Sequence, residues 1–264
     1  MGRVIRLDKV KGLVGGIVFG PVTSRRFGRS LGINPLPPDR KICTFDCPYC
    51  ECGSTQVDES RCLEAQPFPS AEEVLAAVRD AMAELAAAHI PIDSLTLTGN
   101  GETTLHPDFE RIIDGIIELR DAALPDARIV VLTNGTRLTD ASVRRALTRV
   151  DRCVVKIDAG REETFVRINR PLERITLEDI TREAAELPRV IVQTMFVRGL
   201  VDNTTDDELA AWIERVRGVD PVAVQIYSLE RLPAEEGLIA VAREELAQIA
   251  AALRAAVDVP VDVY

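Results

Sequence analysis

The sequence predicts an α/β fold of about six β-then-α units on a parallel sheet, and three observations carry that reading. From residue 70 onward, short apolar runs of strand length alternate with segments whose apolar residues recur at helical spacing. Polar, glycine-containing strings follow several of those runs directly, where turns belong. The chain has 264 residues, 46% hydrophobic and 28% charged, which suits one sizeable core. Repeated β-then-α units imply parallel strands with right-handed crossovers. With one strand placed before Cys43, the count falls short of the eight units that close a TIM barrel. That leaves a partial (β/α)6 TIM-like barrel, open on one side, or a flat doubly wound parallel sheet. In either, chemistry belongs at the carboxyl ends of the strands.

The elements follow in order. Ser70 and Glu73 form a capping box, and behind it Val74, Val78, Met82 and Leu85 recur at helical spacing. Residues 95–98 read as a strand, and Phe109, Ile112, Ile113 and Ile116 mark the next helix. Residues 129–133 are a buried strand ended by the turn dipeptide Asn134, Gly135. A short helix over 141–148 and a strand over 153–157 come next. Thr176 to Asp179 opens a helix, and 190–194 is a strand. Thr205 to Glu208 is expected to cap a helix carrying Leu209, Trp212, Ile213 and Val216. A strand over 222–227, a helix marked by Leu246, Ile249, Leu253 and Val257, and an edge strand over 261–263 complete the pattern.

The chain carries 32 Lys and Arg against 42 Asp and Glu, a net charge of −10, which weighs against a polyanionic partner. The basic segment from Ser24 to Arg29, with Arg25 and Arg26, is the one candidate for gripping a carboxylate or phosphate. An arginine cluster paired with surface carboxylates fits those residues equally. No apolar run reaches the roughly 18 residues that span a bilayer, and Met1 to Arg6 lacks the apolar stretch of a secretory signal. A cytoplasmic protein with reduced thiols and no membrane association is expected.

Cys43, Cys47 and Cys50 form a C-x3-C-x2-C string, with Tyr49 just before the last cysteine. Three thiolates can hold a [4Fe–4S] cluster and leave its fourth iron without a protein ligand. A structural zinc site would want a fourth ligand from a second Cys or His pair, and the two histidines, His89 and His106, make no such pair. Cys52, Cys62 and Cys153 are too few and too scattered for an auxiliary cluster. The triplet with its aromatic residue resembles the radical S-adenosylmethionine (radical SAM) superfamily. From about Phe19 to the end, the chain is similar to the Fe–S oxidoreductase group related to wyosine-type tRNA-modifying enzymes.

The resemblance implies the partial barrel as the fold, and one domain over 1–264. Its parts are a strand segment over 1–42, a cluster loop over 43–52 and β/α repeats over 70–264. It also implies the cofactors, a [4Fe–4S] cluster on Cys43, Cys47 and Cys50 and S-adenosylmethionine (SAM), with Tyr49 beside them. Thr98 to Glu102 resembles the family's Gly-Gly-Glu motif, with Asn100 departing from it. By that resemblance Gly99, Gly101 and Glu102 would take the SAM ammonium, and Thr133 and Asn134 would lie beside its methionine part. Strand alternation puts Lys156 and Asp158 on one face, where they suit either the SAM carboxylate and ribose or an internal salt bridge. Gln193, a buried amide in an apolar strand, needs a partner, either a ribose hydroxyl or a neighbouring backbone group. Gln225 makes a weaker case of the same kind.

The implied reaction is reductive cleavage of SAM to methionine and a 5′-deoxyadenosyl radical that abstracts hydrogen from a substrate. No catalytic side chain is assigned by sequence. The implied partners are a one-electron donor such as flavodoxin or ferredoxin and a substrate that is a metabolite, a peptide or protein, or tRNA. Wyosine-type base modification and a non-catalytic Fe–S redox sensor stand as alternatives.

Overall fold

The computed structural model describes residues 9–10, 12–55, 68–231 and 233–264. Met1 to Arg6 and Cys62, both used above, lie outside the described residues. The strands are β1 (Lys9–Val10), β2 (Leu13–Val14), β3 (Val18–Ser24), β4 (Gly28–Ile33), β5 (Ser94–Leu97), β6 (Arg128–Thr133), β7 (Arg152–Lys156), β8 (Val190–Met195), β9 (Val197–Gly199), β10 (Ala223–Tyr227), β11 (Leu238–Ala240) and β12 (Val261–Val263). The helices are α1 (Ala71–Ala87), α2 (Phe109–Ala123), α3 (Ala141–Arg149), α4 (Glu162–Ile168), α5 (Leu177–Ala185), α6 (Asp206–Val219) and α7 (Arg243–Ala256).

Among the described residues the main sheet has eight strands in the order β12-β10-β8-β7-β6-β5-β4-β3. Strand β3 pairs antiparallel with β4, whereas β4–β5, β5–β6, β8–β10 and β10–β12 are parallel. From β4 onward the order rises without reversal, and six strands are each followed by helix before the next strand joins. A doubly wound sheet reverses its order at a switch point, so the flat alternative is corrected by this progression. Among the described residues strands β3 and β12 end the sheet without pairing to each other. This is the topology of the partial (β/α)6 barrel, open on one side. Among the described residues no helix is long and apolar enough to cross a membrane.

The residues pack as two compact units. Of the described residues, the first comprises 9–10, 12–43, 55, 68–133 and 140–153. In it Ser70 and Glu73 form the predicted capping box on α1, which buries Val74, Val78, Met82 and Leu85. Gly115 of α2 admits Leu75 so closely that a Cβ there would meet its methyl carbon at 2.4 Å. The second unit comprises Thr44–Ser54, Asn134–Thr139 and Val154–Tyr264. Its centre is Trp212, edge-on to Phe196 at 5.1 Å, with its indole N–H donating to the Ile157 carbonyl at 3.2 Å. Thr176 and Asp179 form a capping box on α5 as expected. The expected cap of α6 differs: Thr205 makes no side-chain cap bond. Glu208 is drawn inward, accepting from the Gly160 N–H at 2.5 Å and the Thr164 hydroxyl at 2.8 Å. A buried carboxylate needs donors, and the 160–164 segment supplies more of them than a helix start would.

Candidate functional site

In the first unit the turn after β5 is built around Glu102, whose residue is only 2% exposed. Its Oε1 accepts from the Thr104 N–H at 3.1 Å, the Thr104 hydroxyl at 2.6 Å and the Thr133 hydroxyl at 2.9 Å. Three donors on one oxygen fix the carboxylate in place. The structure therefore brings Glu102 and Thr133 together from the carboxyl ends of β5 and β6. The same turn pairs with the residue before the first cysteine. Ile42 N–H donates to the Asn100 carbonyl at 2.8 Å, and Glu102 N–H donates to the Ile42 carbonyl at 2.8 Å.

The glycines serve that pairing. Gly101 has φ +133°, and a Cβ there would lie 1.8 Å from the Ile42 oxygen. A Cβ on Gly99 would lie 2.2 Å from Asn34 Oδ1. The backbone approach they permit is thus to their own chain. Asn100, the departure from the family motif, is a clamp. Its amide donates to the Val14 and Pro37 carbonyls at 2.9 and 3.0 Å, and its Oδ1 accepts from Val14 N–H at 2.7 Å.

Arg25 and Arg26 lie elsewhere in this unit. They occupy the turn between β3 and β4, whose N–H groups at Arg26 and Phe27 donate to Ser24 Oγ. The Phe27 carbonyl accepts from the Ser94 hydroxyl at 3.0 Å, and Arg29 N–H donates to Asp93 at 2.6 Å. Those contacts set the turn at the amino ends of β4 and β5, whereas Glu102 follows the carboxyl end of β5. The segment that carries the two arginines is thereby placed at the opposite ends of these strands from Glu102.

In the second unit the loop carrying Cys47 and Cys50 is held by three separate stretches of chain. Leu172 N–H donates to the Thr44 carbonyl at 2.9 Å, and Asp46 N–H donates to the Asn169 carbonyl at 3.1 Å. Asn134 donates to the Thr44 hydroxyl at 2.8 Å while its Oδ1 accepts from Thr136 N–H at 3.0 Å. Glu235 N–H donates to the Pro48 carbonyl at 3.0 Å, and the Glu235 carboxylate pairs with Arg170. Asn134 thus fastens the cysteine loop.

A buried network runs behind that loop. Asp158 Oδ1 accepts from the Met195 N–H at 2.8 Å and pairs with the Lys156 ammonium at 3.0 Å. Its Oδ2 accepts from the Tyr49 hydroxyl and from Asn169 Nδ2, the latter at 2.8 Å. Lys156 also donates to the Tyr227 hydroxyl at 2.8 Å, and its ammonium lies 5.0 and 4.8 Å from the ring centres of Tyr49 and Tyr227. Burial opposes the Lys156 charge, but Asp158 and Tyr227 outweigh it and hold the ammonium above its ordinary range. Burial, then the Asp158 charge, pushes the Tyr49 phenol well up, so Tyr49 is the donor to Asp158. Of the two readings of Lys156 and Asp158, the internal salt bridge is the one seen. Gln193 likewise has a protein partner, donating to Gln225 at 2.9 Å from the register-matched position on β10.

Asn169 is the member that sequence reasoning missed. Its amide nitrogen lies 3.6 Å from the Cys47 sulfur, 3.2 Å from the Tyr49 oxygen and 2.8 Å from Asp158. Tyr227 was also missed. Its place at the end of β10, two residues after Gln225, was the available signal.

Cys43, Cys47 and Cys50 are half-buried, and none is in a disulfide. Burial, then the Cys50 charge, pushes the Cys47 thiol up to about 11. Metal ligation favours the thiolate and reverses that tendency. Among the described residues no three His, Cys, Asp or Glu side chains gather as a single metal ion needs. The donor set is three thiols on one short loop, the soft ligands an iron–sulfur cluster takes. Cys153, by contrast, is buried in β7 and pushed to about 12 by burial and the Glu102 charge. It behaves as a small hydrophobe.

The Radical SAM superfamily model matches residues 40–216. A UPF0026 protein of Synechocystis sp. (strain PCC 6803) is 34% identical over 215 residues, covering 79% of this chain and 74% of that protein. A protein named GTPase Obg from Brachyspira hyodysenteriae is 28% identical over 93% of this chain, but the chain spans only 35% of its length. Among solved structures, a radical SAM methyltransferase from Sphaerobacter thermophilus aligns with TM-score 0.65 and 17% identity, covering 89% of this chain and 65% of that one. TYW1 with a lysine-pyruvate adduct bound aligns with TM-score 0.62 and 16% identity, covering 86% and 73%. Streptococcus suis SuiB bound to S-adenosylmethionine aligns with TM-score 0.62 and 10% identity, covering 85% and 48%. These likenesses show the fold. The extent of the superfamily match and the identity to the Synechocystis protein show more: the chain belongs to the radical SAM superfamily and to its UPF0026 members, with a [4Fe–4S] cluster and S-adenosylmethionine as cofactors.

Proposed function

We propose that this chain is a radical SAM enzyme whose Cys43, Cys47 and Cys50 hold the cluster and whose Glu102 binds the SAM ammonium. The observation that carries the reading is the Glu102 turn. A buried carboxylate, fixed by Thr104 and Thr133, sits on a turn hydrogen-bonded to Ile42, one residue before the first cysteine. When bound, the reduced cluster supplies the electron that cleaves SAM to methionine and a 5′-deoxyadenosyl radical, which takes a hydrogen atom from the substrate. The protein's part is to bind, orient and exclude water. Gly99 and Gly101 allow the turn its shape, Thr133 orients the carboxylate, and Asn134 fastens the cysteine loop. Lys156, Asp158 and Tyr49 form the wall behind that loop, and the Gln193–Gln225 pair lines its neighbouring strands. The net charge of −10 favours a peptide or metabolite over tRNA as substrate.

The test separates this from a redox sensor. Anaerobically reconstituted protein, reduced with dithionite in the presence of SAM, should release 5′-deoxyadenosine, slowly, without substrate. Glu102→Ala should keep its iron and lose SAM affinity by roughly 1.5–3 kcal/mol, the worth of a charge-assisted hydrogen bond. Iron-loaded wild type that neither binds nor cleaves SAM would leave the sensor as the function. A tRNA mobility shift at physiological salt should show no complex.

A further inference from the structure

We propose that Asn169 sets the reduction potential of the cluster by donating an amide hydrogen to the Cys47 sulfur. This rests on the assignment of Cys47 as a cluster ligand. Asn169 is 2% exposed and closes α4, its own N–H donating to the Phe165 carbonyl at 2.9 Å. Its carbonyl is held by Asp46 N–H, so the side chain has little freedom. The amide carries two hydrogens and faces three acceptors. One hydrogen goes to Asp158 at 2.8 Å. The second is shared between the Tyr49 oxygen at 3.2 Å and the Cys47 sulfur at 3.6 Å.

Ligation decides how it is shared. As a thiol, Cys47 can itself donate to the Asn169 backbone carbonyl, also at 3.6 Å. Bound to iron, the sulfur has no proton and carries negative charge. It can then only accept, and it competes for the amide hydrogen with a phenol oxygen that bears no net charge. Asp158 anchors the amide on its other side, and Lys156 at 3.0 Å offsets the Asp158 charge. What the network directs at the sulfur is therefore an N–H dipole. Hydrogen bonds to cluster sulfurs favour the more negative, reduced state and raise the potential.

The test is an EPR-monitored redox titration of the reconstituted protein with mediators, comparing wild type with Asn169→Leu and Asn169→Ala. Leu keeps the side-chain volume without a donor, and Ala removes both. With iron content and charge-transfer absorbance at wild-type level, either variant should titrate at lower potential. The expected shift is about tenfold in the one-electron equilibrium, or about 59 mV. A loaded variant with unchanged or higher potential overturns the inference. So does failure of both variants to take up iron when wild type loads, since the amide would then hold the loop and tune nothing. Wild type that never assembles a [4Fe–4S] centre would instead sink the cluster assignment itself.

Discussion

Ile42 and Gly101 face each other across a parallel bridge, flanked by two backbone hydrogen bonds of 2.8 Å. The bridge ties the entry to the cysteine loop to the turn that carries Glu102. Gly101 has both a left-sided φ of +133° and no room for a Cβ beside the Ile42 oxygen. Gly101→Ala is expected to break the bridge and cost about 1–3 kcal/mol in backbone strain alone. Urea denaturation read alongside iron uptake checks this, and an Ala variant with wild-type stability would show that the bridge bends without cost.

The cysteine assignment divides the chain's thiols into two kinds. Replacing Cys43, Cys47 and Cys50 together by Ala should abolish the charge-transfer absorbance of the reconstituted protein and its roughly four bound irons. Cys52→Ala should leave both unchanged. Loss of iron on changing Cys52 alone would reassign the ligand set.

The pairing of Lys156 with Asp158 places a side chain that is 0% exposed against one that is 18% exposed. Removing one partner leaves the other's charge stranded. Asp158→Ala should destabilise the protein by about 3–5 kcal/mol, and adding Lys156→Met should recover part of that loss. Denaturant midpoints of the two variants decide it. A double variant no better than the single would mean that the bonds to Tyr49, Asn169 and Met195 carry the cost.

His106 makes folding sensitive to acid. Its Nε2 lies 2.8 Å from the Pro69 carbonyl, to which it donates, so Nδ1 is the atom that accepts from Asp108 N–H at 3.0 Å. Protonating Nδ1 breaks the second bond, and burial lowers the folded-state pKa below the ordinary value near 6.5. The unfolded chain then binds more protons in that window, so stability rises with pH. The contribution is complete above about 6.5 and is lost as pH falls through the lower folded value. Denaturation midpoints measured downward from pH 7 should fall less steeply for His106→Gln than for wild type.

Arg25 and Arg26 supply the contrasting case. Because their turn lies at the amino ends of β4 and β5, changing both to Gln should leave iron content and substrate-free SAM cleavage within about twofold of wild type. A tenfold loss of cleavage would tie that end of the sheet to the chemistry.

The β/α alternation was legible because each strand and helix carries its own period. Elements with weak periods, such as α4 and the antiparallel β9–β11 pair, were not. Glu102 and Thr133 were legible because the polar strings that follow or end apolar strands resemble family motifs, and their mutual bond follows from neighbouring strands. The role of Asn100 was not, since its partners Val14 and Pro37 lie 86 and 63 residues away. Asn169 was hidden for the same reason, separated from Cys47 by 122 residues and bearing no pattern of its own. Gln193 and Gln225 were both noticed, but only the register of β8 on β10 makes them partners.

The cysteine loop borrows its hydrogen bonds from Asn134, from Asn169 to Leu172, and from Glu235. A chain growing on the ribosome exposes its three thiols long before any of those residues has been made. The loop gains its full set of hydrogen bonds only after Glu235 has emerged. Until those partners have emerged, the thiols depend on the reducing power of their surroundings.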